Sequence, residues 1–316
     1  MRQTNFVFNT PDGADLFAYC WLPSGPPRAL VQIVHGLAEH AGRYARLAEA
    51  LTGAGYGVFA CDLRGHGRTA KAPQDLGFMA ASDGWNKVLS DLWQLHQHMA
   101  KQFAELPVVL LGHSMGATLA RQVIAEHSEA LAGAVLSGCS GQPTLLAAAG
   151  RFITRAEQLR LGPRAHSSLV QSLTFEAFNR KFQPARTGFD WLSRDPAEVD
   201  KYVADPLCGF PVPVRLWVEM LDGWAEAARW RNSARVRKDF PLYVIAGSHD
   251  PVSEGTRMLV PMLAQYQAAG LTRLEHRFYH EGRHELLNEI NRDEVTSHLI
   301  SWLKRITPAN KPPVRR

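Results

Sequence analysis

PVVLLGHSMGATLARQVIAEH, residues 107–127, is the stretch whose reading decides the fold. Pro107–Leu111 is an apolar run of strand length, and Ala117–His127 has helical period. Only Gly112-His113-Ser114-Met115-Gly116 lies between them, so the chain must pass from strand to helix through one sharp turn. A serine at the centre of G-x-S-x-G in that context has its hydroxyl raised at the strand's end. The glycines two before and two after must be small, or their side chains would collide in the turn. The spacing therefore marks Ser114 as a nucleophile. The Met115 N–H, at the helix start, is then placed to face a developing oxyanion. The competing reading is a glycine-rich turn in which Ser114 only caps the helix.

Outward from this turn the chain alternates strands and helices. Asn5–Thr10 and Leu16–Leu22 flank Pro11-Asp12-Gly13 and read as a hairpin. Ala29–Val34 is a strand, Arg43–Ala54 a helix, Gly57–Cys61 a strand, Gly84–Ala104 a helix, and Leu131–Leu136 a strand. The rhythm then breaks from about 141 to 239, a segment rich in large aromatics, and resumes afterwards. There Leu242–Ala246 and Leu274–Tyr279 read as strands, Thr256–Ala269 and Asp293–Arg305 as helices. This predicts an α/β fold, a mostly parallel central sheet flanked by helices. Its core is 1–140 and 240–306, interrupted by a mostly helical insertion at 141–239, with a flexible tail at 307–316. With 316 residues, 46% apolar and 21% charged, the composition excludes disorder and a disulfide-built miniprotein.

A serine hydroxyl needs a base to take its proton. In sheets that carry this turn the partners follow in the order serine, acid, histidine. Asp250 follows the first strand after the insertion (PLYVIAGSHD) and is the expected acid. Its competing role is a helix cap, and Asp239 and Asp222 are weaker because neither ends a strand. After Leu274–Tyr279, His284 sits in a short loop at the entry to a helix, with reach over the sheet edge. His280, which ends the strand directly, is the runner-up, and His276 lies within the strand. The second oxyanion donor is expected from the loop after Ala29–Val34. There Gly36 lets the chain bend, the Leu37 N–H is free to face the site, and His35 reads as a structural hydrogen-bonding residue.

These motifs resemble the serine-hydrolase branch of the α/β-hydrolase fold, specifically its monoacylglycerol lipase and lysophospholipase group. That group has HG-x-G-E-H-x-x-R-Y at the oxyanion loop, and His35–Tyr44 reads HGLAEHAGRY. It has D-x-x-G-H-G-x-S after the next strand, and Asp62–Thr69 reads DLRGHGRT. Its GHSMG is matched at every position. Ala38 departs from a glycine and Thr69 from a serine, and Ala38 is expected to reshape the oxyanion loop. The resemblance implies a serine ester hydrolase acting on monoacylglycerol-like or lysophospholipid-like esters through an acyl-enzyme on Ser114. It also makes the insertion a cap whose aromatics form an apolar acyl tunnel, most of them serving as the cap's own core.

Other classes fare worse. Gly53–Gly57 imitates a dinucleotide fingerprint but precedes its strand. HGLAEH is not a zinc-binding H-E-x-x-H helix, because it lies in a turn. Neither a metal nor a cofactor is expected. The net charge of +5 is too small to point to nucleic acid; residues 141–240 carry +4 of it, residues 1–140 carry −1. A basic cap leaves room for transient contact with a membrane surface. With no signal peptide or spanning segment apparent, and four widely spaced cysteines read as reduced, the expected location is cytoplasmic. Two alternatives stay open. One is a proline-releasing aminopeptidase, which would need Glu176, Glu198, Glu219 or Glu226 to hold a free amine. The other is a catalytically silent binding protein on the same fold.

Overall fold

The computed structural model describes residues 1–104 and 106–308. Among them runs an eight-stranded sheet made of β1 (Arg2–Asn9), β2 (Asp15–Leu22), β3 (Ala29–Val34), β4 (Tyr56–Cys61), β5 (Val108–His113), β6 (Gly133–Ser137), β7 (Leu242–Gly247) and β8 (Leu274–Tyr279). The spatial order is β1-β2-β4-β3-β5-β6-β7-β8. β1 and β2 form the antiparallel hairpin, β2 is antiparallel to β4, and every pairing from β4 to β8 is parallel.

The helices are α1 (Ala45–Gly53), α2 (Gly84–Gln102), α3 (Met115–His127), α4 (Leu145–Leu161), α5 (Ser168–Leu173), α6 (Phe175–Asn179), α7 (Pro196–Ala204), α8 (Val214–Ala227), α9 (Trp230–Arg235), α10 (Leu259–Ala268) and α11 (Arg292–Ile306). Strand side chains alternate between the faces. Val31, Ile33, Val109, Leu111, Tyr243 and Ile245 pack with α1 and α11. Leu30, Val108, Leu110, Val244 and Ala246 pack with α2, α3 and α10. Because both faces are covered, β3 to β7 read as continuous apolar runs. Gln32 is a polar residue within β3, and its Nε2 donates to the Leu92 carbonyl at 2.8 Å.

The nucleophile turn depends on two glycines for space. A Cβ at Gly116 would come 2.1 Å from the Val34 carbonyl oxygen, and one at Gly112 would come 2.4 Å from the Gly116 oxygen. α3 can therefore start directly against β3 and β5. The loops after β3 and β5 lead to helices on opposite faces, which opens a crevice at the strands' carboxyl ends.

Between β6 and β7 run α4 to α9, with α4 on α8, and α8 and α9 on α3. Several element ends differ from expectation. The helix expected from Arg43 starts at Ala45, after a 3-10 turn over Ala41–Tyr44. The helix expected from Thr256 starts at Leu259, because Gly255 and Thr256 sit at φ +66° and +76°, outside helical backbone. β7 ends at Gly247, three residues before Asp250, and the helix expected just after His284 is only a 3-10 turn, Leu286–Asn288. Of the expected tail, residues 309–316 lie outside the described residues. Thr307 is buried, and its carbonyl accepts from Arg28 Nη2 at 2.6 Å.

Candidate active site

Ser114 has φ +55° and ψ −117°, a conformation that costs an L-residue strain and is held by its surroundings. Its N–H donates to the Ser137 carbonyl at 2.9 Å, and its own carbonyl accepts from Ala117 N–H at 2.9 Å. The side chain makes no capping bond to α3. Its Oγ lies 2.9 Å from His284 Nε2. His284 Nδ1 lies 3.0 Å from each Asp250 carboxylate oxygen. Since Nδ1 must donate to that carboxylate, Nε2 is left to accept from the serine hydroxyl. Asp250 is fully buried and also caps the 3-10 turn after it, accepting from Val252 N–H at 2.9 Å. Asp250 thus faces His284 and caps the turn at the same time.

The structure brings Ser114, Asp250 and His284 together, and leaves His276 and His280 exposed on the edge of the sheet. Burial pushes the His284 imidazole down. The Asp250 carboxylate, with Glu285 and Glu39 beyond it, outweighs burial and raises its pKa above the ordinary 6.5. His113 lies tilted beside it, ring centres 4.8 Å apart, and is lowered by burial and by the positive potential of His284.

Leu37 follows β3 in a loop pinned on both sides. Gly36 N–H donates to Glu39 Oε1 at 2.6 Å, and the Gly36 carbonyl accepts from His35 Nδ1 at 2.8 Å. His35 Nε2 accepts from Leu63 N–H at 2.9 Å, which fixes the tautomer and makes His35 the structural residue expected. Among the described residues the Leu37 N–H has no acceptor. The Met115 N–H opens α3 and has no partner within the helix. Asp62 accepts from Ala41 N–H and Arg68 N–H, so DLRGHGRT is a structural turn. Thr69 supplies the hydroxyl there, donating to the Asp62 carbonyl at 2.7 Å.

Sequence reasoning missed a buried charge cluster behind the site. Arg43 donates to Glu39 at 2.7 Å and to both oxygens of Glu285 at 2.7 Å. Burial pushes both carboxyls up, and the shared guanidinium outweighs it, so both are held below their ordinary range. Glu39 and Arg43 lie in the quoted HGLAEHAGRY run. Nothing in the sequence ties them to Glu285, 242 residues from Arg43. His40, Asp205 and Cys208 also converge. His40 Nε2 sits 2.9 Å from Asp205 Oδ2, and burial pushes the Cys208 thiol well above its ordinary range.

Ser114 and His284 open into a cavity of about 390 Å3, a volume usual for a small-molecule site. Its walls are mostly apolar and come largely from the insertion: Ile153, Phe175, Phe178, Trp191, Trp217, Met220 and Trp224 among others. Trp191 flanks the relay, its ring 5.0 Å from that of His284.

A family model described as serine aminopeptidase, S33, matches residues 25–291. The monoglyceride lipase of Mus musculus is 31% identical over 294 residues, 89% of this chain and 86% of that one. The monoacylglycerol lipase of Mycolicibacterium smegmatis is 30% identical over 292 residues, 90% of this chain and 92% of that one. A thermostable carboxyl esterase from Bacillus coagulans, solved with glycerol, matches with TM-score 0.89 at 26% identity, over 97% of this chain and 99% of that one.

Proposed function

Since the chain belongs to the serine aminopeptidase S33 family and has the α/β-hydrolase fold, we propose that it is a serine hydrolase of monoacylglycerol-like esters. The observation that carries this reading is the Ser114–His284–Asp250 relay opening into an apolar cavity. Ser114 Oγ attacks the ester carbonyl while His284 Nε2 takes its proton, and Asp250 orients and stabilises the resulting imidazolium. The N–H groups of Leu37 and Met115 hold the oxyanion; such a donor contributes about 3 kcal/mol in the transition state. The alcohol leaves with the proton from His284, and a water activated by the same imidazole releases the acid from Ser114. The apolar walls take the acyl chain, and residues 141–239 act as a cap on the core of 1–140 and 240–306.

The aminopeptidase reading needs carboxylates in the cavity to hold an amine. Glu198, Glu219 and Glu226 are ion-paired with basic neighbours, Glu176 is exposed, and none of the four lines the cavity, while the glutamates that do line it are paired, Glu39 and Glu285 with Arg43 and Glu254 with Arg257. A silent binding protein would have no need of an aligned proton relay.

Contact with a lipid surface fits α4. Leu145, Phe152 and Leu159 are spaced seven apart on one face and are 92%, 76% and 89% exposed. Leu146, beside them, also lines the cavity, so the stripe adjoins its mouth. No helix among the described residues is long and apolar enough to cross a membrane. Four free, buried cysteines support a reducing, cytoplasmic setting.

The test is a panel of monoacylglycerols, lysophospholipids and a prolyl amide, with Ser114→Ala protein as background. We expect the highest kcat/KM on a monoacylglycerol. Turnover of the prolyl amide above every ester would overturn the reading.

A further inference from the structure

Ala38 occupies left-handed backbone at φ +52°, where an alanine pays a conformational penalty that glycine escapes. Its carbonyl is nevertheless held in place, and both donors come from the insertion. Tyr202 Oη donates to it at 2.8 Å and Gly209 N–H at 2.9 Å. Leu37, which lines the cavity and whose N–H has no acceptor among the described residues, precedes Ala38 directly. Its other neighbour, Gly36, is fixed from the core side by Glu39 and His35. The loop is thus held from the core on one side of Leu37 and from the insertion on the other.

The same limb grips the histidine loop. Leu192 carbonyl accepts from Glu285 N–H at 2.8 Å, Ser193 Oγ donates to the Asn288 carbonyl at 2.8 Å, and Arg283 donates to the carbonyls of Asp190 and Ser193. Residues 190–209 therefore bond to both loops that carry the chemistry.

We propose that this limb is a fixed clasp that preorganises the active site, with Tyr202 the positioning residue for the oxyanion loop. The inference rests on the ester-hydrolase reading. Losing the Tyr202 hydroxyl leaves Gly209 as the single donor to the Ala38 carbonyl. Ala38 then relaxes toward negative φ and carries the Leu37 N–H off the oxyanion. The effect falls on the transition state, so it appears in kcat.

The experiment compares wild type, Tyr202→Phe, and Tyr202→Phe combined with Ala38→Gly on a water-soluble short-chain ester. Rates are expressed per active site titrated with a fluorophosphonate. We expect Tyr202→Phe to lower kcat per titrated site about five-fold, with KM within about two-fold. Adding Ala38→Gly should recover at least half of that loss, because glycine holds φ +52° without the clasp. An unchanged kcat per site overturns the inference, whether total activity falls through misfolding or KM rises because Tyr202 merely contacts substrate. So does a loss that Ala38→Gly leaves intact. If the fluorophosphonate fails to label wild-type Ser114, the ester-hydrolase reading itself falls, and the clasp with it.

Discussion

The two limbs of the insertion face the active site in opposite ways. The first, α4 to α6, turns Leu145, Phe152 and Leu159 outward and lends Ile153, Phe175 and Phe178 to the cavity wall. The second, residues 190–209, is bonded to the oxyanion and histidine loops through carbonyls, N–H groups and Arg283. On the proposed reading the insertion is a cap in which one limb meets what arrives and the other holds what reacts. Binding and catalysis would then depend on separate parts, and substitutions in the two limbs should separate KM from kcat.

The largest effect belongs to the relay both limbs enclose. Ser114→Ala should lower ester kcat by at least about 10⁴-fold, measured by steady-state turnover of a p-nitrophenyl ester. His284→Ala should do the same, while His280→Ala, exposed in the turn after the edge strand, should stay within about two-fold of wild type. In the second limb, Arg283→Ala cuts the tie between Asp190, Ser193 and the histidine loop, and kcat should fall about ten-fold with little change in KM. A change in KM alone would blur the division between the limbs.

A smaller effect concerns pH. Hydrolysis needs neutral His284, whose pKa is raised, so kcat/KM should fall as pH drops through a value above 6.5. Glu285 is one of the groups that raise it. Glu285→Gln should move that acid limb to lower pH, seen in a kcat/KM profile from pH 5 to 9; movement to higher pH would contradict the assignment. The smallest effect on chemistry is expected in the first limb. Leu145→Ser with Phe152→Ser and Leu159→Ser should weaken sedimentation with anionic lipid vesicles several-fold and leave turnover of a soluble short-chain ester within about two-fold of wild type.

What could be read from the residues divides along similar lines. β3 to β7 were legible because burial on both faces writes nearly unbroken apolar runs such as ALVQIV and PVVLL. That Ser114, Asp250 and His284 come together was legible because chain order and strand ends narrow the choices to a few residues each. The second limb was not. Tyr202 reaches a carbonyl 164 residues away, and Arg43 reaches Glu285 across 242. Such contacts depend on how segments far apart in the chain are brought together, the insertion onto the core for Tyr202 and one part of the core onto another for Arg43, which no local pattern encodes. Ala38 stood out as a departure from glycine, yet its consequence needed the Tyr202 hydroxyl to be seen. The helix expected at Thr256 starts late for a local reason, the left-handed backbone at Gly255 and Thr256, which periodicity does not register.

The acyl-enzyme on Ser114 is the central claim, and it can be caught directly. Wild-type protein is mixed with p-nitrophenyl butyrate, quenched in acid during turnover, digested and weighed by mass spectrometry. The account predicts a butyryl group on the peptide carrying Ser114, lost again once substrate is exhausted. Turnover at the full rate with that peptide unmodified, or with the acyl group on another residue, would contradict it.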